Sequence, residues 1–141
     1  IIMIRNTPVS EIMSKKVIAL NTTDDLNRAE MLFKKHRIRH IPVVRKGAVI
    51  GMLSYTDLLR SSFSDTTDDD QNLDSIVYNT FSIEQVMTKK VVCVTNTTTI
   101  KEAAEILAKK EFHALPVIDE DSVLVGIVTT TDLINYTIKQ F

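Results

Sequence analysis

The chain of 141 residues holds a single cysteine, Cys93, so no internal disulfide can form. Set in Val91-Val92-Cys93-Val94, that thiol reads as a small buried hydrophobe. No apolar run approaches the roughly 18 residues of a membrane span. The opening Ile1-Ile2-Met3-Ile4-Arg5 turns polar too soon for a secretion signal. A cytoplasmic setting with no membrane partner is expected, and Asn21-Thr22-Thr23 and Asn96-Thr97-Thr98, which match the glycosylation pattern, then read as turns. An excess of one charge is lacking too, and a net charge of −1 argues against nucleic acid as a partner. The sequence has no Gly-rich phosphate loop, no Cys–His ligand set and no His-Glu-x-x-His. Its three histidines and one strand cysteine supply no evident nucleophile and base, so neither catalytic residues nor a metal site is expected.

What the chain does have is an internal repeat. Gly51-Met52-Leu53-Ser54-Tyr55-Thr56-Asp57-Leu58-Leu59 returns as Gly126-Ile127-Val128-Thr129-Thr130-Thr131-Asp132-Leu133-Ile134. A shift of 74 residues brings Met13 onto Met87, Val17 onto Val91, Ala29 onto Ala103 and Pro42 onto Pro116. At the glycine the shift is 75, one residue having entered the second copy in the turn Asp119–Ser122. The reading is repeat 1 over 8–60, an acidic linker over 61–80 and repeat 2 over 81–138. Units of about 55 residues lie near the floor for independent folding, so each is expected to need the other to complete one shared core.

Hydrophobic spacing assigns the same elements to each copy. Val9–Met13 is a short amphipathic lead-in, and Val17–Leu20 and Val91–Val94 suit buried strands. Asp25 can cap a helix whose apolar face is Leu26, Ala29, Leu32 and Phe33, and Lys34, Lys35, His36 and Arg37 suit its C-terminus. The second copy has Thr99-Ile100-Lys101-Glu102 in capping-box form. Strands follow at Ile41–Val44, Val49–Leu53, Leu115–Ile118 and Val123–Val128, with Pro42 suggesting a strand start or edge. Short helices close both copies, the first through Leu59. The linker carries Asp65, Asp68, Asp69, Asp70 and Asp74, which could meet a divalent cation but read better as a solvated connection.

Ser54-Tyr55-Thr56-Asp57 and Thr129-Thr130-Thr131-Asp132 admit two readings. A hydroxyl residue followed three positions later by an acid is a helix cap, and a cap alone would account for both copies. The same geometry also suits a nucleotide. An ionised Asp is a pure acceptor that can take both hydroxyls of a ribose diol, and the hydroxyl with the unpaired N–H groups at a helix start can meet a phosphate.

Taken together, the lead-ins Glu11-Ile12-Met13 and Gln85-Val86-Met87, the segments Ile38-Arg39-His40-Ile41-Pro42-Val43-Val44 and Phe112-His113-Ala114-Leu115-Pro116-Val117-Ile118, and the two Gly-to-Asp stretches resemble a pair of CBS domains. Such a tandem is also called a Bateman module, and the chain reads as a stand-alone pair. The resemblance covers Val9 to about Ile138 and implies an α/β (α+β) fold of two pseudo-symmetric β-α-β-β-α units packed through their sheets. It implies clefts that bind AMP, ADP, ATP or S-adenosylmethionine as a regulatory ligand, with no tightly bound cofactor. Asp57 and Asp132 match the family's ribose-binding Asp, with Ser54, Thr56, Thr129 and Thr131 beside them. Arg39, His40 and His113 match basic residues that reach phosphates, although Ala114 stands where His40 does. Backbone groups near Val17, Ile18 and Ala19, and near Val91, Val92 and Cys93, would read adenine. By the same resemblance Asp132 would serve one ligand with Arg39 and His40, and Asp57 another with His113. A homodimer and an unidentified regulated protein are implied partners; the alternative is a ligand-free interaction or dimerisation module.

Overall fold

The computed structural model describes residues 6–63, 81–109 and 112–141. The acidic run from Asp65 to Asp74 lies outside them. The chain divides into two compact units, residues 18–91 and residues 1–17 with 92–141. The first is called the N-unit below, the second the C-unit.

The N-unit runs β1 (Leu20–Asn21), α1 (Leu26–His36), β2 (His40–Arg45), β3 (Ala48–Ser54), α2 (Tyr55–Phe63) and α3 (Ile83–Val86). Its sheet has the order β1-β2-β3, with β1 parallel and β3 antiparallel to β2. The C-unit opens with a 3-10 turn (Val9–Glu11) and continues as β4 (Val94–Thr95), α4 (Ile100–Lys109), β5 (Ala114–Ile118), β6 (Leu124–Thr129) and α5 (Thr130–Lys139). Its sheet, β4-β5-β6, has the same topology. This is the expected mixed α and β architecture, in two three-stranded sheets.

Local chemistry explains most boundaries. The Asp25 carboxylate accepts the Arg28 N–H at 2.8 Å to start α1, and Arg37, left-handed at φ 54°, ends it. Lys46 and Gly47 both have positive φ and join β2 to β3 through the tightest hairpin, where glycine meets no steric penalty. The matching turn of the C-unit is longer. Asp119 accepts the N–H groups of Asp121 and Val123 at 2.9 and 3.0 Å, which is how the inserted residue is absorbed.

Three expectations are corrected. The first strands are two residues each, Leu20–Asn21 and Val94–Thr95, and Val17–Ala19 and Val91–Cys93 lie outside them. The prolines, expected at a strand start or edge, sit inside the central strands β2 and β5. One fact accounts for both. Opposite Pro42, Met52 exchanges backbone hydrogen bonds with Thr88 at 3.0 and 2.9 Å, so the proline nitrogen faces the β1 side. Extending β1 back before Leu20 would require an N–H that proline lacks. Ile127, opposite Pro116, exchanges the same pair of bonds with Ser14. Finally, the helix expected to stop at Leu59 runs on to Phe63.

Among the described residues the buried side chains group into two clusters, one in each unit. Leu20, Leu26, Ala29, Phe33, Ile41, Val43, Leu53 and Leu58 of repeat 1 are completed by Ile83 and Met87 from the lead-in of repeat 2. Val94, Ala103, Leu115, Val117 and Val128 of repeat 2 are completed by Val9, with Ile12 and Met13, from the lead-in of repeat 1. The repeats have exchanged lead-ins. The recurring Gly and Met meet at this exchange. A Cβ on Gly51 would stand 3.0 Å from Met87 Cγ, and one on Gly126 would stand 2.6 Å from Met13 Sδ. Only glycine lets the incoming methionine lie flat on the strand.

Candidate functional site

Each unit brings a set of the expected site residues to the end of its sheet where the last strand enters a helix. In the N-unit, Ser54 ends β3 opposite His40 of β2, and the Tyr55 N–H donates to the Arg39 carbonyl at 2.9 Å. Ser54 Oγ accepts the Asp57 N–H at 3.0 Å. Ser54, Thr56, Asp57, Arg39 and His40 therefore surround the start of α2. In the C-unit, Thr129 ends β6 opposite Ala114, and the Thr130 N–H donates to the His113 carbonyl at 3.0 Å. This gathers Thr129, Thr131, Asp132 and His113 at the start of α5. Asp57 and Asp132 are half-buried, whereas Arg39 and His113 are exposed.

The two caps differ. Thr129 and Asp132 close a full capping box, with Thr129 Oγ1 accepting the Asp132 N–H at 3.2 Å and Asp132 Oδ2 accepting the Thr129 N–H at 2.9 Å. Among the described residues Asp57 makes no such return bond. Its Oδ2 lies 3.5 Å from Thr88 Oγ1 instead. The Asp57 carboxylate is thus turned out of the cap, and the Asp132 carboxylate is drawn into it.

Val17–Ala19 and Val91–Cys93, assigned to adenine, are half-buried segments just ahead of the short strands, where the prolines keep their backbone out of the ladder. Cys93, expected as a buried hydrophobe, is half-buried, and that partial burial pushes its thiol above its ordinary range. Among the described residues no group of three His, Cys, Asp or Glu side chains gathers as a metal site, and no helix is long and apolar enough to cross a membrane. Sequence reasoning missed Thr88. Its signal was faint, because its match at the 74-residue shift is Ser14, and both follow a methionine whose role emerged only in the fold.

The CBS domain model matches residues 9–64 and 83–139, which is most of the chain. The chain belongs to the CBS domain family. Among curated relatives, protein MJ1426 of Methanocaldococcus jannaschii is 32% identical, with 89% of this chain and 88% of that protein covered. Protein MJ0188 of the same organism is 31% identical over 94% of this chain. Some CBS relatives are much longer: the chain spans 44% of MJ0188 and 24% of a homoserine O-acetyltransferase from Methanohalobium evestigatum. Of solved structures, the CBS domain of a CBS domain containing membrane protein from Sphaerobacter thermophilus superimposes with a TM-score of 0.80 at 25% identity, covering 94% of this chain and 89% of that one. The CBS domain pair of MJ0100, in complex with 5'-methylthioadenosine and S-adenosyl-L-methionine, gives 0.78 at 24% identity, with 96% and 98% covered. CBSX2 in complex with AMP gives 0.76 at 22%, with 95% and 98% covered. At these last two identities the likeness is one of fold.

Proposed function

We propose that this CBS pair is a regulatory module that binds an adenosine compound (AMP, ADP, ATP or S-adenosylmethionine) and thereby modulates a partner protein. The observation that carries the reading is the Asp57 carboxylate. It sits half-buried at a helix start, beside a hydroxyl and N–H groups, and turned out of the cap that would otherwise occupy it. A carboxylate so placed can accept both hydroxyls of a ribose diol, and the helix start favours phosphate. Arg39, exposed at the same end of this sheet, adds donors for a phosphate, a grouping that departs from the pairing of Arg39 and His40 with Asp132 that the resemblance implies. That AMP, 5'-methylthioadenosine and S-adenosylmethionine occupy solved neighbours of this fold supports the choice of ligand class. The enzyme names among the relatives belong to longer proteins, so no catalytic role is assigned to these residues.

The ligand acts on a partner by binding one arrangement of the module more tightly than another. A thermal-shift screen with AMP, ADP, ATP and S-adenosylmethionine tests the reading. A ligand at about 100 times its dissociation constant adds roughly 2.7 kcal/mol to the native state. If none of the four raises the melting temperature, the adenosine reading of Asp57 and Asp132 falls.

A second reading, an interaction module, has its own support. Ile134 and Ile138 lie one turn apart on α5 and are 54% and 62% exposed. Pairing with a second copy would cover them, and a two-fold dimer is the commonest such arrangement. Sedimentation of the unliganded protein at micromolar concentration decides it, a monomer mass ruling it out.

A further inference from the structure

We propose that Thr88 is a positioning residue of the Asp57 site. Its hydroxyl holds the carboxylate outside the helix cap, where it can meet a ribose diol. The inference rests on the adenosine-binding reading above and adds a residue from the other repeat to the site.

The backbone of Thr88 is fixed on both sides of its peptide. It gives its N–H to the Met52 carbonyl at 2.9 Å and accepts the Met52 N–H at 3.0 Å. The preceding Met87 is buried against Gly51. Thr88 therefore stands at a set place beside β3, two residues before Ser54. Asp57 is fixed from the other direction, since its N–H is held by Ser54 Oγ. The carboxylate then has two hydroxyl- or N–H-bearing neighbours to choose between: the backbone N–H of Ser54, as Asp132 chooses that of Thr129, or the hydroxyl of Thr88. It faces Thr88.

The Oγ1–Oδ2 separation of 3.5 Å is longer than an ordinary O–H···O hydrogen bond of about 2.5–3.0 Å, so the contact is a weak one. The contact orients the carboxylate without saturating it, and an ionised carboxylate retains further lone-pair sites for a ligand's hydroxyls. In the C-unit the corresponding residue, Ser14, is pinned to Ile127 through the same two backbone bonds at 2.9 and 3.1 Å. The acid there is nevertheless folded back into its capping box. The two sites are thus unequal. The Asp57 carboxylate is set for a diol as it stands, and that of Asp132 must first leave the Thr129 N–H.

Titration calorimetry of the full chain with AMP and 2'-deoxy-AMP tests this. The binding phase abolished by Asp57→Ala identifies the site to be read. In that phase Thr88→Val should weaken AMP about two- to threefold, the low end of the effect of one lost hydrogen bond. It should also reduce the preference for AMP over 2'-deoxy-AMP, which a purely structural role would leave unchanged. Thr88→Ser, which keeps the hydroxyl, should restore both. If Thr88→Val does not fold, Thr88→Ala carries the same comparison. An Asp57-dependent phase whose affinity and sugar preference are unchanged in the Thr88 variants overturns the proposal and leaves the adenosine reading standing. If no phase depends on Asp57, both fall together.

Discussion

A methyl group on Gly126 would stand 2.6 Å from the Met13 sulfur and 3.1 Å from the Ser14 carbonyl oxygen, whereas the three atoms nearest one on Gly51 all belong to the Met87 side chain. A flexible methionine can give way, but a backbone carbonyl held in a β-bridge cannot. Gly126→Ala should therefore cost about 1–3 kcal/mol, as overpacking does, and Gly51→Ala distinctly less; urea midpoints compare the two. The acids invite the opposite comparison. Asp132→Ala removes an acceptor from a backbone N–H and should cost on the order of 1 kcal/mol, while Asp57→Ala should cost less in stability and more in nucleotide binding. Cys93 supplies a pH dependence. Burial raises its pKa in the folded state, so the folded chain keeps the proton at a pH where the unfolded chain has lost it. Its contribution is fully present below the unfolded thiol pKa of about 8.5 and is lost as pH rises through the higher folded value. Urea midpoints from pH 7 to 10 should fall more steeply for the unmodified chain than for Cys93→Ala.

At the scale of elements, the legible features were those fixed by neighbours in sequence. The apolar spacing of Leu26, Ala29, Leu32 and Phe33 needs only the helical period, and all four are buried on α1. The Asp25 cap and the Lys46–Gly47 turn are equally local. The first strands were overread because Val17–Leu20 and Val91–Val94 carry the right hydrophobicity, yet their length is set by prolines more than twenty residues further on. The site divides in the same way. Its hydroxyl-x-x-Asp spacing was visible, but that the Asp57 carboxylate faces Thr88 and not its cap was not, because Thr88 lies 31 residues further on. Pro42 carries a test of this account. Replacing it by Val supplies the missing N–H, so the Pro42→Val variant should protect residues ahead of Leu20 from hydrogen exchange, with little change in the β2–β3 pairing. Unaltered exchange over Val17–Ala19 would show that something other than the proline ends β1.

For the whole molecule, the exchange of lead-ins means that a sequence repeat and a folding unit are different lengths of chain. Residues 8–60 comprise a repeat but lack Ile83 and Met87, which close its cluster. Residues 18–91 comprise a compact unit and contain both. Burial of a side chain of this size contributes about 1.5–3 kcal/mol, and a small domain has a net stability of only about 5–15 kcal/mol. Losing two such side chains from a piece near the size floor is enough to remove its cooperative transition. Fragment 18–91 should therefore melt cooperatively by circular dichroism, and fragment 8–60 should not. Gly51→Val within 18–91 directs a branched side chain at Met87 and should push that fragment towards the behaviour of 8–60. The bond between Arg45 and Glu84, which ties β2 to α3 on the exposed side, should matter little by comparison. A fragment 8–60 that melts as sharply as 18–91 would mean that the lead-in from repeat 2 only covers a core already complete without it.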